Sequence, residues 1–369
     1  MTDVVTEVRA GVGWITLDRP KALNALSLPM IRELAAALLA WRTDPAVRAV
    51  AIRGQGREQP FGTFCAGGDI RFFHAAALAG NPELEDFFTE EYELDHLVHT
   101  FPKPYIAFLD GIVIGGGMGI AGHGRAGPGL RLVTERTRMS MPETSIGLFP
   151  DVGGGYFLAR CPGRLGEYLA LTGSVVTGTD AVAARLADRL VDSARLPALW
   201  DALAEGGLEA LQFELDRSSQ ASRPQDSSGS WPAESIDRVF GLDGLPAMVS
   251  ALETDATPWA RETAARLRAR SPLMLHVTLE QLRRGRSMSL ADNLRMERGM
   301  VRRCFHMRSG GTSETVEGIR AFAVDKDRAP RWNPARIEDV TPEQVEGFFD
   351  SPWPAHAHPL RQLSALPGA

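Results

Sequence analysis

With 369 residues, 44% hydrophobic and 23% charged, the chain has the makeup of a globular protein with one large core and an appendage, which excludes a disordered or fibrous class. A net charge of −6 argues against nucleic acid as a partner, because phosphate binding needs a concentrated basic face. The most apolar run, residues 105 to 122, carries Asp110 and six glycines, too polar and flexible for a membrane span.

Val4 to Val8 and Trp14 to Leu17, separated by Gly11 to Gly13, predict a β-hairpin. The loop Asp18 to Asn24 follows, and Ser27 with Pro29 suits a helix N-terminus. Ile31, Leu34, Ala35, Leu38 and Leu39 recur at helical spacing, so this helix lays one apolar face on a sheet. Val47 to Arg53 predicts the next strand. A glycine-containing loop, Phe61 to Ile70, leads to a helical region that runs past Pro82 to about His99. Pro104 to Leu109 predicts a strand, and Gly115 to Gly119 stands where a helix should start. Leu130 to Val133 and Arg138 to Met141 predict further strands. Residues 165 to 192 read as helix, loop, helix and short strand, and beyond about residue 200 the pattern is helical. Strand, strand, helix recurs, unlike the strict alternation of a doubly wound sheet, so the expected class is α/β built from ββα turns. The expected organisation is a core over residues 1–200, a helical C-terminal region over 201–350 and a loose tail over 351–369. Ser218 to Pro232 is the linker candidate.

Residues 141 to 159 place two carboxylates, Glu143 and Asp151, among apolar and glycine neighbours. A buried carboxylate without partners is costly, so these two must be paired, exposed or shifted in pKa toward useful chemistry. Pro142, Pro150 and Gly153 to Gly155 shape a loop, turn, loop segment, which positions side chains rather than filling a core. A solvated Pro/Gly surface turn is the competing reading.

Gly68 and Gly116 sit in loops that can each aim a backbone N–H at one point, as an oxyanion hole requires; two ordinary tight turns are the alternative. A helix beginning at Gly116 would add the positive end of its dipole. Gly117 to Gly122 is also a formal G-x-G-x-x-G, with Glu143 about 20 residues on, which makes a nicotinamide-dependent oxidoreductase a rival. Against it, Glu143 follows a proline in a loop and does not end a plain strand. Cys65 is an alternative nucleophile with no base placed beside it. Cys65, Cys161 and Cys304, odd in number and far apart, predict packing roles in a reducing compartment. The pairs His96/His99 and His356/His358 lack the companions of a metal spacing, so no metal is expected. The N-terminus has neither a signal-peptide nor a transit-peptide pattern, which makes the cytoplasm the expected compartment.

Four runs, Phe-Cys-Ala-Gly-Gly-Asp-Ile (64 to 70), Lys-Pro-Tyr-Ile-Ala (103 to 107), Gly-Gly-Gly-Met-Gly (115 to 119) and the stretch from Met141 to Leu158, resemble the crotonase superfamily. Within it they are most similar to the branch of thioester hydrolases acting on 3-hydroxyisobutyryl-CoA. The resemblance extends to Leu17 to Leu26, Phe87 to Tyr92, Ser271-Pro272 and Asp325-Lys326-Asp327, leaving out roughly 200 to 260 and the last twenty or so residues.

This resemblance implies a crotonase-like spiral of ββα turns with a C-terminal α-helical region, and hydrolysis of a short branched 3-hydroxyacyl-CoA in valine breakdown. Gly68 and Gly116 would hold the thioester oxygen, Glu143 and Asp151 would form the catalytic pair, and Arg19, Lys21, Ala66, Asp69 and Ile70 would bind CoA. Coenzyme A enters as part of the substrate, without a separate cofactor, and a homo-oligomer is compatible. Superfamily hydratases carry a glutamate where this chain has Gly119 and lack an acid at Asp151, which favours hydrolysis over hydration. A hydratase or isomerase, or a non-catalytic acyl-CoA-binding relative, are the alternatives. Three segments depart from the family pattern: residues 124 to 133, the loop before Phe64, and residues 309 to 313.

Overall fold

The β-branched hairpin forms where the sequence places it: β1 (Val4–Arg9) pairs antiparallel with β2 (Val12–Leu17). The computed structural model describes residues 2–123, 128–219, 229–308 and 312–363. After the hairpin come α1 (Leu28–Thr43), β3 (Ala49–Gly54), β4 (Thr63–Cys65), α2 (Ile70–Ala79) and α3 (Glu83–His99). β5 (Tyr105–Leu109), β6 (Ile112–Ile114), α4 (Gly116–Ile120), β7 (Gly129–Val133) and β8 (Arg138–Ser140) follow.

Two sheets result, one ordered β1-β2-β3-β5-β7-β10 and the other β4-β6-β8-β9, where β9 is Val176–Thr177 and β10 Arg189–Leu190. β3, β5 and β7 each hand on to β4, β6 and β8 in the other sheet, and neighbouring turns pair in parallel. This is the crotonase-type spiral. β4 lies in a stretch that reads as a loop and β6 in one that carries no strand expectation, because three-residue strands have no usable periodicity and form only against their non-local partners. The helical region expected past Pro82 is two helices, since Gly80 ends α2 at φ 65 in the left-handed region. In α1, Leu34 and Leu38 face inward as expected, but Leu39 is exposed and Trp41 is buried instead.

The remaining helices are α5 (Gly154–Phe157), α6 (Leu165–Thr172), α7 (Gly178–Ala183), α8 (Leu196–Ser219, kinked at Gly207), α9 (Ala233–Phe240), α10 (Leu245–Thr254) and α11 (Pro258–Arg268). Then come α12 (Pro272–Gly285), α13 (Leu290–His306), α14 (Glu314–Ile319), a π-helical turn (Arg320–Val324) and α15 (Pro342–Glu346). One face of the six-stranded sheet is covered by Leu196, Leu199, Trp200 and Leu203 of α8, packed on Trp14, Phe61 and Phe108. The other face shares one continuous core with helices α9 to α13. The tail expected to be loose from Ser351 is docked as far as residue 363, where Leu360 and Leu363 are buried and Leu360 O accepts from Arg295 Nε at 3.1 Å. Most of the linker candidate, much of the departures at 124–133 and 309–313, and the end of the tail lie outside the described residues.

Candidate active site

The segments that follow β4, β6 and β8 of the four-stranded sheet meet at one cavity of about 270 Å³, lined by Ala66, Gly67, Gly68, Ile70, Gly115, Gly116, Glu143 and Asp151. The two glycine loops and both acids are therefore brought together. Phe88 and Glu91 of α3 and Phe322 of the π-helical turn complete its wall. Arg19, Lys21 and Asp69 do not line it. Asp69 caps α2 by accepting from Phe72 N–H and pairs with Arg19 Nη2 at 3.0 Å, while Lys21 is exposed in the neighbouring 3₁₀ turn. Asn24 ties that turn to the cavity loop by donating from Nδ2 to the carbonyls of Gln55, Thr63 and Phe64.

The loops are glycine for steric reasons that also define the site. Gly67 stands at φ 91 and Gly115 at φ 53, both left-handed. A Cβ on Gly67 would lie 3.4 Å from Gly116 N, and one on Gly116 would lie 3.5 Å from Gly68 N, so the two candidate donor amides are neighbours. The amides flanking Gly68 are committed, Gly67 N–H to Cys65 Sγ and Asp69 N–H to Leu26 O. Gly116 opens α4, so its N–H has no acceptor within the helix. With only five residues, α4 contributes these first-turn amides rather than a sizeable dipole.

Glu143 sits at the start of a 3₁₀ turn, Glu143–Ile146, and its Oε1 would lie 2.9 Å from a Cβ on Gly115. It is 6% exposed, and burial first, then the Asp151 charge, holds its carboxyl well above the usual range. Asp151 accepts a hydrogen bond from the buried Tyr92 hydroxyl at 2.8 Å. Burial pushes Asp151 up to about 6, while the Tyr92 bond pulls the other way. Both carboxyls of the cavity are thus raised by burial toward the range in which a carboxyl can give up or take a proton near neutral pH.

Two acids that carried no role in the sequence reading belong to the same cluster. Glu91 is 2% exposed and raised well above the usual range by burial and then by Asp151 and Glu143; a Cβ on Gly116 would overlap its Oε1. Asp95, one helical turn on, is buried and raised likewise, and a Cβ on Gly119 would overlap its Oδ1. Leu84, Phe88, Glu91, Asp95 and Val98 form one stripe of α3, so a helical wheel would have placed both acids on its buried face.

The G-x-G-x-x-G run is not a dinucleotide fingerprint. Its helix stops at Ile120, Gly122 turns at φ 80, and its glycines admit Cys65 O and Asp95 against α4. Cys65 is buried and its thiol pushed up to about 12 by burial, which disfavours the thiolate a nucleophile needs. Among the described residues no group of three or more His, Cys, Asp or Glu could hold a metal ion, and no helix is long and apolar enough to cross a membrane.

Residues 12–349 match the family model described as enoyl-CoA hydratase/isomerase. The chain is 39% identical to the mitochondrial 3-hydroxyisobutyryl-CoA hydrolase of Gallus gallus, covering 94% of this chain and 88% of that one. Among solved structures, it resembles a carnitinyl-CoA dehydratase from Mycobacterium thermoresistibile (37% identity, TM-score 0.82, 95% and 96% covered). It also resembles an enoyl-CoA hydratase from Rhodobacter sphaeroides 2.4.1 (38% identity, TM-score 0.82, 95% and 98% covered). Two sheets wound as a spiral, a cavity closed by two glycine loops, and matches spanning nearly the whole chain agree: the chain belongs to the enoyl-CoA hydratase/isomerase family, the crotonase superfamily.

Proposed function

We propose that this protein hydrolyses a short branched 3-hydroxyacyl-CoA thioester, 3-hydroxyisobutyryl-CoA, to the free acid and CoA, a step of valine breakdown. The observation that carries the reading is Glu143 and Asp151 facing the cavity that Gly68 and Gly116 close. In this reading the thioester oxygen sits between the Gly68 and Gly116 amides, which stabilise the negative charge that develops on it. Glu143 makes the new bond to the carbonyl carbon, either directly or by deprotonating water. The C–S bond breaks, the thiolate takes up a proton, and water supplies the acid's second oxygen. Asp151 holds the substrate's 3-hydroxyl or assists thiolate departure. Three free, buried cysteines suit a reducing compartment.

The names of the solved relatives keep a hydratase as the competing reading, and one assay separates the two. The protein is incubated with 3-hydroxyisobutyryl-CoA and with an enoyl-CoA, without added metal or nicotinamide, while free thiol and enoyl absorbance are followed. Thiol release from the hydroxy ester with unchanged enoyl absorbance is expected. Enoyl turnover without thiol, or thiol release that needs NAD or is abolished by a chelator, would sink the proposal.

Gly116→Val tests the oxyanion hole. The new side chain would collide with Glu91 and crowd Gly68 N, so kcat is expected to fall on the order of 10² to 10³ while the variant stays folded. A folded Gly116→Val enzyme with ordinary turnover would remove Gly116 from the oxyanion hole.

A further inference from the structure

We propose that Glu297 of α13 is the positioning residue that holds Asp151 in the cavity, an inference that rests on the catalytic reading of Asp151. Glu297 is fully buried and does not line the cavity, so it has no direct access to substrate. Carboxylates in such a place need a purpose that offsets their desolvation.

Its four donors identify that purpose. Oε2 accepts from Gly153 N–H at 2.8 Å, and Oε1 accepts from Gly155 N–H at 3.0 Å, Gln281 Nε2 at 2.8 Å and Asn293 Nδ2 at 2.6 Å. Gln281 Nε2 also donates to Pro150 O at 2.7 Å. Asp151 is therefore gripped on both flanks, at Pro150 through Gln281 and at Gly153 and Gly155 through Glu297 itself. The amide oxygens of Gln281 and Asn293 are buried without a partner, so both amides turn their donors toward the carboxylate while leaving their own acceptors unpaired.

The backbone between these grips is strained. Val152 stands at φ 51 and Gly153 at φ 88. A left-handed β-branched residue is a genuine outlier that persists only where its surroundings over-determine it. Without the Glu297 acceptors, Val152 can relax to negative φ, and that rotation swings the Asp151 side chain away from Tyr92 and the cavity. Among the described residues no side chain of α13 is seen to hold the Glu143 segment in a comparable way, so the effect is expected to centre on Asp151.

Four proteins decide the matter: wild type, Asp151→Asn, Glu297→Gln and the double variant, compared by kcat and KM for 3-hydroxyisobutyryl-CoA hydrolysis. Glutamine keeps the shape but turns an NH₂ group on one loop amide. The expected result is a loss in kcat on the order of 10²-fold for Glu297→Gln with KM moved far less, and less than about 3-fold further loss when the same change is made in Asp151→Asn. Equal losses in both backgrounds overturn the positioning role and leave Asp151's own role standing. Turnover of Asp151→Asn at the wild-type rate overturns the reading beneath it, and the positioning role with it. Should Glu297→Gln fail to fold, Gln281→Leu, which removes the donor shared by Pro150 O and Glu297, is put through the same comparison under the same criterion.

Discussion

Glu143→Gln is expected to lower kcat on the order of 10² to 10⁴ for every thioester tested, with substrate still bound. Glu143 Oε1 sits against the Gly115 turn, and its Oε2 is buried without a hydrogen-bond partner. Its carboxyl is thus a desolvated group whose free oxygen has only the cavity to serve. Burial and the Asp151 charge raise its affinity for a proton, which makes the ionised form a strong base or nucleophile once substrate displaces water. Glutamine fills the same space and keeps the 3₁₀ turn, yet it can neither accept the proton nor attack. Single-turnover kinetics with 3-hydroxyisobutyryl-CoA check this, and a folded Glu143→Gln enzyme with unchanged kcat would refute the bond-making role.

Asp151→Asn is expected to act on selectivity as well as rate. A buried carboxylate that accepts a substrate hydroxyl gains a charge-assisted bond, so its loss should narrow the kcat/KM preference for 3-hydroxyisobutyryl-CoA over isobutyryl-CoA on the order of 10-fold or more. Asparagine can still accept from the Tyr92 hydroxyl, so the pocket wall keeps its pairing. The same residue should share in setting the acid limb of the pH profile with Glu143. Its folded value is raised to about 6, so the ionised form prevails above that pH and is lost as pH falls through it. Wild-type kcat/KM should accordingly fall as pH drops and the two carboxyls take up protons, and Asp151→Asn, which removes the charge that helps hold the Glu143 carboxyl up, should move that limb to lower pH. An unchanged substrate ratio would mean that Asp151 does not read the hydroxyl.

Local chemistry carried much of this protein into view before any fold was known. The β-branched runs of the hairpin, the 3.6-residue spacing of Ile31, Leu34 and Leu38, and the Pro/Gly frame around Glu143 and Asp151 depend on neighbours in the chain. Gly68 and Gly116 were likewise legible, because only glycine admits such close backbone approach. Other features were decided by contacts far along the chain. β4 and β6 exist because each finds a parallel partner one spiral turn away. Arg19 pairs with Asp69 at a separation of 50 residues, a contact that no local pattern marks. Glu91 and Asp95 share a stripe with Leu84, Phe88 and Val98 that helical spacing could mark as buried, but that they border the glycine loops is decided by the packing of α3. Glu297 lies 144 residues from Gly153, and no local pattern marks it. Spacing along a chain determines secondary structure and which groups are available, whereas desolvation, and with it the protonation and aim of a carboxyl, is set by whatever the tertiary fold brings from elsewhere to cover it.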